Sequence, residues 1–386
     1  MCSIYGLLGE IVEKGDSSKI YASFNTLRKR GPDRSLTILN PDSFLGFHRL
    51  AINGLDVDGD QPFYMVDGER TFYLVCNGEI YNFRELIAEF KLDVSLHGSD
   101  CAVILPLLKL FNYDLEKLNK VLVGEYSFAI VEYHQHKLKQ LFLSTDPLSV
   151  RPMFIGFSQD LKSFGFSSLL SGLAPFFQNV ERFGQKTILN WTPGKTPAKK
   201  QYWPSVVNAD YNTNSKPDET DYAKAISIFE NAVRHRLISD RPIGCLLSGG
   251  LDSSLVTGLL REWIQPLNTF SIGFNETGFD ESSQSSEVVR HFQTSHHRFI
   301  LTAHIFADFL QTIMRTVDEP VADAACIPTY WLAQEARKTV KVILAGEGSD
   351  ELFAGYDYYQ DLSTRPLSFL DRLRWSWNTT RGCREF

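Results

Sequence analysis

Apolar and polar positions follow two different patterns along the chain. In the first half, short apolar runs sit between turn residues and predict strands at residues 3–8, 44–47 and 72–76. The last of these is expected to stop at Asn77-Gly78-Glu79-Ile80-Tyr81-Asn82. Residues 124–132 and 139–144 read as paired strands, and Gln201-Tyr202-Trp203 as the closing strand of the region. Helical spacing is moderate over 20–27, where Arg30-Gly31-Pro32-Asp33 ends it, and stronger over 101–110. Ser99 or Asp100 stands where it would cap that second helix, and Pro106 where it would kink it. Turns are expected at Gly59-Asp60-Gln61-Pro62-Phe63 and at Trp191-Thr192-Pro193-Gly194.

The second half alternates strand and helix. A polar stretch rich in Asn, Asp, Ser and Pro, residues 204–220, reads as a linker. Helical spacing follows over 222–236, with Ala225, Ile226, Phe229 and Val233 on one face. Strands at 243–247, 269–274, 297–301 and 341–345 are interleaved with helices. One helix begins at Asp252 and lines up Leu255, Val256, Leu259 and Leu260; others cover 281–292, 305–317 and 328–338. Buried strands between helices imply a parallel sheet covered on both faces. Such sheets bind ligands at the C-terminal ends of their strands, where the Gly-rich turns after Leu247 and Ala345 both fall.

Composition sets bounds. The 386 residues suffice for two domains with full cores, and 43% hydrophobic with 22% charged residues is ordinary for a globular protein. A net charge of −7, with no basic tract longer than Arg28-Lys29-Arg30 near the N-terminus, argues against nucleic acid as a partner. No apolar run approaches the roughly 18 residues of a membrane span. The N-terminus carries no signal-like segment, so a cytoplasmic location is the default. The six cysteines lack Cys-x-x-Cys spacing and make neither a zinc site nor a disulfide framework. Cys76, Cys101 and Cys245 lie in apolar surroundings and read as inert core residues. His134, His136, His235, His296 and His297 have no motif partners and read as surface or core residues.

Chemistry enters first at Leu247-Ser248-Gly249-Gly250-Leu251-Asp252-Ser253-Ser254. A strand, a glycine turn and a helix start present backbone N–H groups and a positive dipole end to an anion. Ser248, Ser253 and Ser254 add hydroxyl donors, and Asp252 either caps the helix or holds a cation beside a phosphate. It is not a Walker A loop, because Leu251 stands where the lysine belongs. Gly194-Lys195-Thr196 lacks the first motif glycine and reads as a turn. The Ser-Gly-Gly-Leu-Asp-Ser-Ser string resembles the pyrophosphate-binding loop of the ATP-pyrophosphatase superfamily, which adenylates carboxyl or carbonyl groups.

Cys2 is the second candidate. Once Met1 is removed, one residue supplies a thiol and a free α-amine, whose pKa of about 8 suits it as base for its own side chain. Cys2 with Gly6, Arg30-Gly31-Pro32-Asp33, His48-Arg49-Leu50, Asn77-Gly78-Glu79 and Gly98-Ser99-Asp100 together resemble the glutaminase domain of class II glutamine amidotransferases. That resemblance implies Cys2 as nucleophile, and the Asn77 amide with the Gly78 N–H as oxyanion donors. It also implies Arg49 gripping the α-carboxylate of glutamine, Asp100 with Glu79 accepting the α-ammonium, and the backbone of Leu50 and Ile52 lining the pocket.

The second half is similar to the synthetase domain of B-type asparagine synthetases. The match rests on Ser248 to Ser254, Asp318-Glu319-Pro320 with Asp323, and Gly346-Glu347-Gly348-Ser349-Asp350-Glu351. By that resemblance Leu247, Ile272, Ala345 and Gly346 meet the adenosine of ATP, while Ser248, Gly250, Asp252 and Ser253 hold pyrophosphate. Glu347, Asp350 and Glu351 serve magnesium and the carboxyl substrate, with Asp252 and Asp350 as the magnesium ligands. The implied architecture is α/β and α+β. An N-terminal nucleophile hydrolase-type α-β-β-α sandwich over 2–190 is followed by a parallel α/β sheet synthetase domain over 205–386. The implied activity is glutamine-dependent asparagine synthesis from aspartate, ATP and glutamine, with Mg2+ as cofactor and a homodimer as the assembly.

The chain departs from the family pattern in three places. Pro147 and Ser149 stand at the Arg and Gly positions of Asp-Arg-x-Gly-x-Arg-Pro, and Leu169 replaces the glutamate of Phe-Ala-Ser-Glu. Past Glu351 the family carries a catalytic lysine and an Arg-x-Pro-Phe-Leu-Asp segment; Phe369-Leu370-Asp371 is not that segment, and Arg384-Glu385-Phe386 ends the chain. The synthetase domain is therefore expected to be C-terminally incomplete. The alternatives are a related amidotransferase acting on another carboxylate, or a shortened form with glutaminase activity alone or no catalysis.

Overall fold

A computed structural model describes residues 1–203, 218–275, 282–321, 323, 325–356 and 359. The chain forms two compact units, the first comprising Met1–Arg241 with Arg315–Val321 and the second Pro242–Met314 with Ala322–Phe386.

The first unit opens with β1 (Ser3–Gly9), α1 (Glu10–Glu13), α2 (Ser17–Thr26), β2 (Arg34–Asn40), β3 (Ser43–Arg49), β4 (Phe63–Asp67) and β5 (Arg70–Ile80). Helices α3 (Phe83–Phe90), α4 (Ile104–Leu110) and α5 (Leu115–Val121) lead into β6 (Gly124–His134) and β7 (Lys137–Thr145). Then come β8 (Phe154–Phe157), β9 (Ser163–Ser167), β10 (Val180–Arg182), β11 (Thr187–Trp191), β12 (Ala198–Gln201) and α6 (Glu219–His235). The strands make two six-stranded antiparallel sheets, β10-β8-β9-β1-β3-β2 and β12-β11-β7-β6-β5-β4.

Strand periodicity decides which side chain meets which layer. On β5, Phe72, Leu74 and Cys76 face α3, α4 and α5, whereas Val75 faces the other sheet. Between the sheets Ile4, Leu45 and Phe47 pack with Val75, Ala129, Val131 and Leu143. Behind the first sheet Tyr5, Leu7 and Phe44 pack with Ile20 and Phe24 of α2. Four layers result, helix–sheet–sheet–helix, as the sandwich expectation required.

Several boundaries differ from the sequence reading. β5 does not stop at Asn77 but continues to Ile80, because each residue from Arg70 to Ile80 is paired with β6. The helix expected over 101–110 is a short 3-10 turn, Asp100–Val103, followed by α4. Pro106 falls in the first turn of α4, where a missing N–H costs nothing, so no break follows. Neither Ser99 nor Asp100 caps the turn with its side chain. The closing strand is Ala198–Gln201 rather than Gln201-Tyr202-Trp203. Ser149, at the glycine position of the family pattern, has φ +52°, the left-handed conformation that glycine adopts most easily. Helix α6 belongs with the first unit, although the sequence reading began the second domain at 205. Most of the expected linker, 204–217, lies outside the described residues, as do Glu281, Phe369-Leu370-Asp371 and Arg384-Glu385-Phe386.

The second unit contains β13 (Ile243–Leu246), α7 (Leu251–Trp263), β14 (Asn268–Phe274), α8 (Ser282–Phe292), β15 (Ser295–Leu301), α9 (Ala303–Thr316) as far as Met314, α10 (Cys326–Ala336), β16 (Val342–Leu344) and α11 (Ser349–Phe353). The four strands form a parallel sheet in the order β15-β14-β13-β16. Phe270 of β14 packs against Leu332 and Ala336 of α10. β13 is central, so the loop after it leaves from the middle of the sheet.

Candidate active sites

In the first unit, a narrow pocket is lined by Cys2, Phe47, Arg49, Leu50, Ile52, Asn53, Gly59, Gln61, Cys76, Gly78, Glu79, Ser99, Asp100 and Cys101. Its free volume is about 20 Å3, the room of a single water. Cys2 precedes β1 and packs against the core between the sheets, with Sγ 3.4 Å from Leu50 N and 3.6 Å from Leu50 O. With Met1 in place, burial pushes the Cys2 thiol up to about 11. Burial, with Arg30 and Arg151 nearby, brings the Met1 amine down to about 6. Arg30 Nε also donates to Cys2 O at 3.2 Å.

Asn77 shares the parity of Val75 on β5 and is 1% exposed, and its Nδ2 has no hydrogen-bond partner. An unsatisfied buried amide donor is costly unless something is meant to accept from it. Ser127, its direct neighbour on β6, also has an unpartnered hydroxyl. Gly78 must be glycine, because a Cβ there would lie 2.3 Å from Glu125 O and 2.5 Å from Tyr126 Cα.

Arg49 is almost fully buried and its guanidinium is committed to its own chain. Nη1 donates to Asp60 Oδ1 and Asp56 O, both at 2.6 Å, and Nη2 donates to Asn53 O at 3.2 Å and to Gly54 O. The pairing holds the loop after β3 in a tight curl around the arginine. Glu79 accepts from Asn53 Nδ2. Burial, and then the neighbouring Asp100 carboxylate, hold Glu79 well above the usual carboxylate range. Asp100 is also raised by burial, although the Ile80 N–H donates to it at 2.5 Å. Two buried acidic groups side by side favour a cationic partner.

Of the residues given a glutamine-site role from the sequence, Cys2, Arg49, Leu50, Ile52, Gly78, Glu79 and Asp100 lie in the pocket lining and Asn77 does not; the motif residues Gly6, Arg30-Gly31-Pro32-Asp33, His48 and Gly98 lie outside it. Cys76 and Cys101 are buried as expected, yet they line this pocket rather than a remote core. Gln61, whose Oε1 accepts from Cys76 N at 2.6 Å, and Asn53 were missed, since each is marked only by its tertiary neighbours.

In the second unit, a cleft of about 360 Å3 opens at the C-terminal ends of the parallel strands. It is lined by Leu247, Ser248, Gly250, Asp252 and Ser253 after β13, by Ile272 of β14, and by Ala345, Gly346, Glu347 and Asp350 after β16. Ser248 and Ser253 hydroxyls are 3.0 Å apart, and Gly250 N donates to Ser248 Oγ at 3.3 Å. Gly249 has φ +98°, and a Cβ there would meet Ser285 N at 2.4 Å, so only glycine makes this turn. Asp252 lies within the first turn of α7 and does not cap it; the cap position is Gly250. Its carboxylate is thereby left to the cleft. Glu351 is not in the lining; it accepts from Tyr356 OH at 2.9 Å, and Tyr356 is in the lining. Phe270, Ser271, Phe274 and Leu332 also line the wall and were not singled out from the sequence.

Asp318 and Glu319 lie outside this cleft. Asp318 accepts from Ser171 N at 3.1 Å, and Glu319 pairs with Arg182 at 3.8 Å. His296 is held by Thr269 and Ser271 hydroxyls, and His297 by Asn268. Among the described residues no group of three or more His, Cys, Asp or Glu gathers as a metal site, and no helix is long and apolar enough to cross a membrane.

Residues 1–203 match the family described as glutamine amidotransferase domain, and residues 224–384 match asparagine synthase. A protein of Methanocaldococcus jannaschii, named as a second glutamine-hydrolysing asparagine synthetase, is 32% identical over 406 residues, covering 92% of this chain and 76% of that one. The chain belongs to the glutamine-hydrolysing asparagine synthetase family. The Zea mays asparagine synthetase is 32% identical over 93% of this chain and 61% of its own, and asparagine synthetase 1 of Bacillus subtilis is 29% identical over 95% and 61%. The chain thus spans about three fifths of the length of these last two family members.

Proposed function

We propose that this chain hydrolyses glutamine at Cys2 and passes the ammonia to an aspartate carboxylate activated by ATP. The supporting observation is the unpartnered Asn77 amide on the same side of β5 as the core against which Cys2 packs. After removal of Met1, the Cys2 amine accepts the thiol proton and Sγ attacks the glutamine amide carbon. Asn77 Nδ2 and Gly78 N–H receive the oxyanion. The proton goes on to the leaving ammonia, and water hydrolyses the thioester to glutamate. Glu79 and Asp100 take the α-ammonium, whose charge draws out their ionised forms. Arg49 carries the α-carboxylate subsite, its guanidinium held in place by the Asn53 and Gly54 carbonyls of the loop after β3.

In the second cleft the Ser248–Ser253 turn holds the ATP phosphates, and Leu247, Ile272, Ala345 and Gly346 enclose the adenosine. The aspartate β-carboxylate attacks the α-phosphorus, giving β-aspartyl-AMP and pyrophosphate; ammonia then displaces AMP to give asparagine. Asp252 and Asp350 line this cleft and would hold magnesium, a hard cation that favours carboxylate oxygen. Bound there, it would offset the charge of the leaving pyrophosphate.

The test is product formation by purified chain with ATP, magnesium, aspartate and glutamine, reading glutamate, pyrophosphate and asparagine separately. All three products support the proposal. Glutamate alone restricts the function to the glutaminase half, and absence of all three rejects it.

A further inference from the structure

We propose that Asp240 and Arg241 are positioning residues for the glutamine site, holding the loop 51–54 in its binding-competent shape. The inference rests on the glutaminase reading of that pocket. The segment follows α6 and runs beside the loop in a short clasp. Gly54 N donates to Asp240 Oδ2 at 2.8 Å, Asp240 N donates to Ile52 O at 3.0 Å, and Arg241 Nε donates to Ala51 O at 3.2 Å. Ser239 fixes the turn of the clasp, its hydroxyl donating to Arg241 O and accepting from Arg241 N.

The grip matters because the loop is where the glutamine-binding groups meet. Ile52 lines the pocket. Asn53 bonds Glu79 with its side chain and Arg49 with its carbonyl. Gly54 gives its carbonyl to Arg49 and lies so near the next wall that a Cβ would meet Gly98 C at 2.6 Å. From inside the pocket, the loop is held by Arg49 through carbonyl oxygens alone. From outside, Asp240 takes the Gly54 N–H and Arg241 the Ala51 carbonyl. Ala51 N donates to Asp33 at 2.9 Å, whereas among the described residues Asp240 is the acceptor of Gly54 N. Loss of the clasp leaves Gly54 N–H without its acceptor and frees the loop end that sets the distance between Arg49 and Asp100. Asp240 itself is exposed, so its removal costs the fold little and falls on the loop.

Steady-state glutaminase kinetics of the full chain after Met1 removal test this. Asp240→Ala is expected to raise the glutamine KM about five- to tenfold, the range of one charge-assisted hydrogen bond at an exposed site, with kcat within about twofold. Asp240→Asn keeps an acceptor oxygen for Gly54 N–H and recovers most of the loss, and Arg241→Ala gives a smaller rise of the same kind. Inactivation of Cys2 by a diazoketone analogue of glutamine slows in parallel, whereas inactivation by iodoacetamide, which needs no glutamine pocket, does not. An unchanged or lowered KM in both alanine variants overturns the inference, as does a parallel fall of kcat and Tm. Wild-type chain that neither hydrolyses glutamine nor reacts with the diazoketone overturns the glutaminase reading with it.

Discussion

The two sites of this chain are built on opposite principles. The glutaminase pocket has about 20 Å3 of free space and draws its residues from Cys2 to Cys101, spread over two sheets, their connecting loops and a 3-10 turn. The nucleotide cleft has about 360 Å3 and takes most of its polar residues from two loops at adjacent strand ends. The first is preorganised at the cost of buried polar groups: an unsatisfied amide at Asn77 and two raised, hydrogen-bonded carboxyls at Glu79 and Asp100. The second spends little on burial and leaves its hydroxyls and carboxylates to an incoming polyanion. A neutral leaving group cut from a small zwitterion calls for the closed kind of site. A bulky charged nucleotide calls for the open kind.

That contrast can be broken by experiment, starting where the effect is greatest. Cys2→Ala is expected to abolish glutamine hydrolysis, by more than about a thousandfold, while ATP titration of the second unit is unchanged. Loss of ATP binding in that variant would mean the sites are not separable. Asn77→Ala should lower glutaminase kcat by about a hundred- to a thousandfold with little change in KM, since the orphan donor acts on the oxyanion. A KM effect alone would make Asn77 a substrate-binding group.

Gly249→Val tests the open site. The forced φ and the approach to Ser285 N should cost about 1–3 kcal/mol of local strain and weaken ATP binding at least tenfold, with glutaminase activity retained. The smallest effect concerns stability. Burial raises the Glu79 pKa above 4.5 in the folded chain, so the native state holds an extra proton between 4.5 and that higher value. Its contribution to stability is complete below pH 4.5 and is lost as pH rises through the folded pKa. Glu79→Gln should therefore flatten the fall of Tm as pH rises above about 4.5 relative to wild type, and raise Tm once wild-type Glu79 is ionised. Equal slopes in the two proteins would show that Glu79 is ionised in the free enzyme.

Legibility differed between the sites for a physical reason. The cleft was readable because Ser248 to Ser253 and Ala345 to Asp350 are continuous in sequence, and a parallel sheet delivers strand ends to one place. Its apolar wall, Phe270, Phe274 and Leu332, was not, since such residues are indistinguishable from core until the cleft exists. In the pocket, motif residues stood out, but Gln61, Asn53 and the clasp at Asp240 did not. Each acts on a group elsewhere in the chain: Gln61 on the Cys76 backbone, Asn53 on the Glu79 side chain, Asp240 on the Gly54 backbone. Weakly alternating strands such as β2 and Ser-Gly-Phe strands such as β9 escaped for a related reason. β9 is buried on both faces, so its burial carries no period.

By itself the sequence determined the division into an antiparallel and a parallel half, and marked Cys2 and the Ser248–Ser253 turn as the candidates for chemistry, because these depend on local period, chain position and contiguous glycines. Only the tertiary structure decided that β5 runs through Asn77, that Asp252 is free of capping duty, and that Arg49 is wrapped by its own loop. Those outcomes depend on which strand, helix start or carboxylate lies opposite. Such partnerships are settled by packing between residues distant in the chain, and no local pattern encodes them.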